Sequence, residues 1–224
     1  MASGRPRFLL RQVPNAQAFH KRYPKVEITV REITTAVLRQ ALREGQLDLA
    51  FQPISEVSRV GLAVEVLFSS RMVVAVPPDH PIADRTTIKL SDLKQETFVD
   101  FSQRWGTRHL VDQIFNLETV ARHTAFEVEN VELLLQFVSH GFGLAVVPQA
   151  LIKGHELRSV RIVSARSGLT HPKWEVGLFR AEINGGLSPN PAADVFRTMI
   201  KEAARMSNSG PALSIGAKFR SLRS

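Results

Sequence analysis

From Pro24 onward the hydrophobic pattern switches repeatedly between a two-residue and a 3.6-residue period. Val26, Ile28 and Val30 alternate with Glu27 and Thr29, which predicts a strand with one buried face. Thr34 and Thr35 open a segment in which Val37, Leu38, Ala41 and Leu42 recur at helical spacing, with threonine as a usable N-cap and Gly45 as the stop. Leu47 to Phe51 returns to strand character, so residues 26–51 read as a β-α-β unit whose crossover makes the two strands parallel. Leu62–Phe68 and Met72–Val76 follow as two strands separated by a turn at Ser69, Ser70 and Arg71. Pro77 and Pro78 then fix φ twice and remove two amide donors, so the chain leaves its sheet there, at a hinge.

Beyond the hinge the alternation begins again. A short helix is predicted around Ser91–Lys94, a strand over Thr97–Phe101, a helix from Thr107 to Leu117 and a strand over Thr124–Val128. Asn130 caps a helix over Val131–Ser139, Glu132 suits the positive end of its dipole, and the Gly141-Phe142-Gly143 turn closes it. A strand at Leu144–Val147 and a short helix starting at Pro148 complete this second unit. Strands over Leu157–Val163 and Trp174–Phe179 precede a loop rich in Gly, Asn, Ser and Pro and a final helix over Ala192–Met206, with Val195, Phe196, Met199 and Ile200 on its apolar face. Residues 207–224 read as an aperiodic, disordered tail. The expected fold class is α/β, with two Rossmann-like subdomains and a ligand cleft between them: a basic segment at 1–18, subdomain I from 19–77 plus 158–206, and subdomain II from 78–157.

Composition narrows the function classes. The 224 residues contain no cysteine, which removes disulfide scaffolds, thiolate metal sites and cysteine nucleophiles. Phe8 to Leu10 is too short a run for a signal-peptide core, and no segment approaches the roughly 20 apolar residues of a membrane span, so the expected location is the cytoplasm. The formal charge of +8 sits at the ends: residues 1–25 carry six basic side chains and no acid, residues 197–224 six against Glu202. The 171 residues between carry 17 basic and 20 acidic side chains and offer no broad footprint for nucleic-acid phosphate.

Enzyme signatures are missing: there is no G-x-S-x-G, Walker A, H-E-x-x-H or kinase set. The seven histidines stand singly, never at ligand spacing on one helix face, so neither a metal nor another cofactor is expected. Gly141, Phe142 and Gly143 lie after a helix and before a strand, the reverse of a dinucleotide turn; they close a helix, face a ligand, or both. Two places combine hydroxyls, helix N-terminal amides and an arginine that would suit a small carboxylate: Thr34 with Thr35, and Ser102, Arg104 and Thr107. The plainer alternative makes Thr34 and Thr107 simple N-caps and Arg104 a solvated side chain. Gln52, just past a strand, is a further polar candidate.

These segments together resemble the effector-binding domain of LysR-type transcriptional regulators. The resemblance is carried by FHKRYP at 19–24, LREGQLDLA at 42–50, AVPPDHP at 75–81 with LSDL at 90–93, and ENVELLLQFVSHGFGLAVVP at 129–148, and covers residues 13–206. It implies two periplasmic-binding-protein-like subdomains, an effector in the cleft, dimerisation, and effector contacts at Thr34, Thr35, Gln52, Ser102, Arg104, Phe142 and Gly143. It also implies an opening central strand and a helix-turn-helix, neither of which residues 1–18 supply, so this chain is expected to read DNA only through a missing module. The expected role is a non-enzymatic, cytoplasmic sensor of a small anionic metabolite, dimeric with itself or with a full-length regulator. A solute-binding protein, an acid-handling enzyme of a related fold and a truncated remnant that captures longer paralogues are the alternatives.

Overall fold

The computed structural model describes residues 16–32, 35–54, 61–163, 173–183, 186–187, 190–206 and 215–221. In chain order these form α1 (Ala16–Arg22), β1 (Val26–Glu32), α2 (Thr35–Arg43), β2 (Leu49–Pro53), β3 (Leu62–Val76), β4 (Thr87–Ile88), β5 (Thr97–Phe101), α3 (Gly106–Glu118), β6 (His123–Val128), α4 (Val131–Ser139), β7 (Ala145–Pro148), β8 (Arg158–Ile162), β9 (Lys173–Ile183), β10 (Gly186–Leu187), α5 (Pro191–Met206) and β11 (Ile215–Ser221). Short 3-10 turns lie at Leu90–Leu93 and Gln149–Ile152. The chain divides into two compact units, residues 1–69 with 175–224 and residues 70–174.

In the first unit the predicted β-α-β frame is present, with a strand inserted into it. The sheet runs β1, β11, β2, β9 and then β3. Because β1 and β2 are each antiparallel to β11, they are parallel to one another, as the crossover through α2 requires. Helix α2 buries Leu38, Ala41 and Leu42 against Leu47, Ala50, Leu62, Phe179 and Ala181. Gly45 ends it in the left-handed conformation at φ +68, the backbone state that lacks a Cβ penalty only for glycine. Phe19, Phe196 and Phe219 form a second apolar group, ring centroids 5.0 to 5.8 Å apart. Helix α5 buries Ala193, Phe196 and Ile200 and leaves Val195 exposed, so its inward stripe follows i, i+3, i+7 spacing.

The second unit is a sheet in the order β7, second half of β3, β8, β4, with β5 and β6 paired parallel alongside. A parallel bridge between Phe98 and Leu144 sets β5 beside the start of β7. Val73, Ala75, Val99, Phe101, Ala145 and Val147 from the strands pack on Leu134, Leu135 and Val138 of α4. Asn130 caps that helix as predicted, its Oδ1 accepting from the Leu133 amide at 2.8 Å.

Three expectations change. Residues 69–71 are not a turn: Leu62–Val76 is one continuous strand, because Ser69, Ser70 and Arg71 tolerate extended backbone and nothing in that triplet breaks pairing. The crossings between units fall at 69/70 and 174/175, not at the proline pair or at 157/158, since Met72–Val76 pairs with β7 and β8 and therefore belongs to the second unit. Pro77 and Pro78 do stop β3, but inside that unit. Finally, the stretch called a disordered tail contains β11, which lies between β1 and β2 and buries Ala217 and Phe219.

Candidate functional site

The parallel strands β5 and β6 end side by side, and each leads into a helix N-terminus. Phe101 passes into residues 102–105 and then α3; Val128 passes into Glu129, Asn130 and then α4. The Ser102 amide donates to the Val128 carbonyl at 3.0 Å, which ties the two turns together. Carboxyl ends of parallel strands with two helix N-termini beside them are a general location for anionic or polar ligands.

Ser102, Arg104 and Thr107 all sit in this region, in different states. Ser102 Oγ is buried beside the Glu129 carboxylate, whose charged form it favours. Arg104 Nη2 pairs with Glu129 Oε1 at 2.7 Å, the two side chains 73% and 59% exposed, so the arginine is neither solvated alone nor committed to the interior. That arginine holds the Glu129 carboxyl below the usual carboxylate range. Thr107 is not the N-cap: Trp105 holds that position, and Thr107 is buried one position into α3. Its Oγ1 accepts the Trp174 indole N–H at 3.1 Å, which makes it an anchor of its own unit.

Phe142 and Gly143 are not brought to this place. They precede β7 at the amino end of the strands, where Leu144 N donates to Thr97 O and Val99 N to Leu144 O, both at 2.8 Å. The length of β5, on the order of 16 Å at 3.3 Å per residue, separates them from Ser102. A Cβ on Gly143 would meet Thr97 O at 2.8 Å, so glycine is required there by the approach of two backbones. Phe142 is 52% exposed and forms a surface aromatic group with Phe126 and Phe137, centroids 5.7 and 5.2 Å away.

Around the same strand ends lies an ionic network that sequence reasoning missed. Arg108 donates to the Phe101 carbonyl at 2.9 Å and to Glu127 at 2.8 Å, and pairs with Asp112. Burial works against its charge, yet Glu127 and Asp112 hold its pKa above the ordinary arginine value. Arg122 pairs with buried Asp100 at 2.7 Å and with Asp112, and lies over the Phe115 ring at 4.6 Å. Arg108 and Asp112 at i, i+4 on one helix face were the available signal.

In the first unit, α2 begins where β1 ends, and Gln52 occupies the carboxyl end of β2, opposite Gly177 of β9. Gln52 is fully buried, and neither Oε1 nor Nε2 has a protein partner. Thr35 is the first residue of α2; Thr34 lies outside the described residues. A surface hollow of about 370 Å³ on this unit is lined by Arg31, Val37, Gln40, Ala41, Glu44, Gln46 and Leu47 and includes none of the candidates. Among the described residues no group of histidine and carboxylate side chains is placed to hold a metal ion.

Two α/β units that gather polar side chains and helix N-termini at the ends of parallel strands have the plan of small-molecule-binding proteins. This chain belongs to the LysR substrate binding domain family, whose sequence profile matches residues 11–205. Its relatives are transcriptional regulators: it is 27% identical over 187 residues to the HTH-type regulator YybE of Bacillus subtilis, covering 82% of this chain and 60% of that one. It is 31% identical over 143 residues to MetR of Escherichia coli, covering 64% and 44%. The chain thus spans about half the length of these relatives. Among solved structures, the regulatory domain of Synechocystis CcmR, in complex with 2-PG, shares the fold at TM-score 0.73 and 20% identity, covering 88% of this chain and 91% of that one. The C-terminal domain of a LysR family regulator from Rhodococcus does so at TM-score 0.69 and 20% identity, covering 87% and 92%.

Proposed function

We propose that this chain is a non-catalytic sensor of a small, polar, anionic metabolite and passes ligand occupancy to a transcriptional regulator through dimerisation with itself or with a longer paralogue. Family membership supports the sensing role. The single observation that supports a ligand contact is Gln52. A primary amide sealed from water with both donor and acceptor unmatched costs roughly 1–3 kcal/mol per unmet group, and a bound ligand carrying a carboxylate or hydroxyl would satisfy it. Ser102, Arg104 and the paired N-termini of α3 and α4 supply the groups for an anion in the second unit, with Arg104 exchanging Glu129 for ligand. The ligand shifts an equilibrium between conformations only by its difference in affinity for them.

The test is thermal unfolding of the chain with a panel of small carboxylates, polyols and aromatic acids. A compound at 100 times its dissociation constant adds about 2.7 kcal/mol, a rise of about 5–10 °C for a chain of this size. Gln52→Leu is expected to leave the unliganded transition unchanged or higher, because it removes unmet polar groups, and to lose most of the ligand-induced rise. A leucine variant that keeps the full rise would remove Gln52 from the site, and a panel without any rise would remove the sensing reading.

A further inference from the structure

The first unit holds its last strand in a slot. β1 and β2 are successive strands of one β-α-β unit but not neighbours; a space one strand wide separates them, and β11 fills it antiparallel to both. Val26 through Glu32 pair with Ser221 through Ile215 on one side, and Leu49 through Phe51 with Ala217 through Ile215 on the other. Without β11, this frame would present two unpaired strand edges facing one another, a template for any segment of matching pattern.

The slot also reads its occupant through side chains. Asp48, nearly buried, accepts from the Phe219 amide at 2.7 Å and from Lys218 Nζ at 2.9 Å, while its own amide donates to the Ala217 carbonyl at 2.9 Å. Asn190 Nδ2 donates to the Phe219 carbonyl at 3.2 Å. Phe219 fills an apolar socket made by Phe19 and Phe196. These features recognise a small residue, a lysine and a phenylalanine in succession, in one register. The recognised residues all lie within the seven of β11, and their partners are as distant in sequence as Phe19 is from Phe219. Pairings this distant in sequence are late to form, because loop closure must precede them. The slot is therefore open while the rest of the unit assembles, and the same segment of another copy fits it by identity.

We propose that the slot between β1 and β2 is a strand-acceptor site that takes Ile215–Ser221 from a second copy of this chain, producing dimers with reciprocally exchanged last strands. The tethered strand of the same chain has the advantage of effective concentration, so exchange is set during folding at high protein concentration. It then persists, since release breaks pairing on both edges and exposes Phe219. This inference is independent of the ligand reading.

The chain has no cysteine, so introduced thiols report the pairing cleanly. Glu27 and Arg220 are exposed, directly opposed partners on β1 and β11, within the Cα separation a disulfide spans. The variants E27C and R220C are purified separately, mixed, unfolded, refolded at high concentration, oxidised and mapped by peptide mass spectrometry; the double variant E27C/R220C is refolded dilute. Exchange predicts a covalent species of twice 25.0 kDa in which position 27 of one chain is joined to position 220 of the other, together with closure within single chains of the dilute double variant. Closure of the double variant with no 27-to-220 link between chains in the mixture would overturn the proposal. Failure of the double variant to close would also overturn it, because β11 would then not occupy the slot.

Discussion

Gly143 and Gln52 show how differently two candidate residues with the same sequence-level standing behave. At Gly143 the missing side chain lets β7 begin against β5, with Thr97 O at 2.8 Å and two carbonyl carbons at 3.2 and 3.3 Å from the position of a Cβ. These are backbone atoms and cannot rotate away. Gly143→Ala is expected to cost about 1–3 kcal/mol, read as a lower urea midpoint with unchanged m-value; a loss below about 0.5 kcal/mol, the range of ordinary surface substitutions, would show that the strands can part to admit the methyl group. Gln52 has a side chain and no use for it in the protein. Sequence could mark both as near strand ends, but not that one is fixed by packing and the other is unmatched. That distinction depends on what lies across from each residue, which spacing along the chain does not encode. Thr107 repeats the lesson: a hydroxyl at a predicted helix start became an acceptor for Trp174, 67 residues away.

Strands and helices with their own internal period were legible, and the exceptions have identifiable causes. β11 does alternate, with Ile215, Ala217 and Phe219 apolar and Gly216, Lys218 and Arg220 between them. The signal was hidden by surrounding basic and small residues, and no local feature says that its partners are 170 positions earlier. Ser69, Ser70 and Arg71 within β3 resemble a turn in sequence, yet without Gly, Pro or Asn the backbone there stays extended. The dependence of the first unit on its last strand is measurable at Asp48. Asp48→Ala removes the acceptor for a buried amide and the partner of Lys218, an expected loss of roughly 2 kcal/mol or more. Hydrogen exchange should locate it: the Phe219 amide, shielded by Asp48 in the wild type, should exchange much faster in the variant, whereas the amides of α4 should not change. Unaltered protection at Phe219 would mean that strand pairing alone holds β11.

At the scale of the whole chain, charge matters through where it is paired rather than through its sum. The formal +8 belongs mostly to the ends, while the described ion pairs join specific elements within each unit. Glu65 of β3 meets Arg197 at 2.8 Å and Lys201 beside it, both from α5. Burial pushes the Glu65 carboxyl toward neutrality, but the two cations outweigh it and hold its pKa below the ordinary value of 4.5. The folded state therefore binds its proton more weakly than the unfolded state does. Stability from this group is present in full above the ordinary carboxylate range and is lost as pH falls through the lower, folded-state value. Glu65→Gln should accordingly lower the melting temperature at neutral pH, and its curve of melting temperature against pH should converge with that of the wild type in strong acid, where Glu65 is already protonated. Added salt should narrow the neutral-pH gap only in part, since the carboxylate is about two-thirds shielded from solvent. A gap that stays constant from neutral pH down to strong acid would show that the glutamate acts through packing of its stem, and that the cations of α5 do not couple that helix to β3 electrostatically.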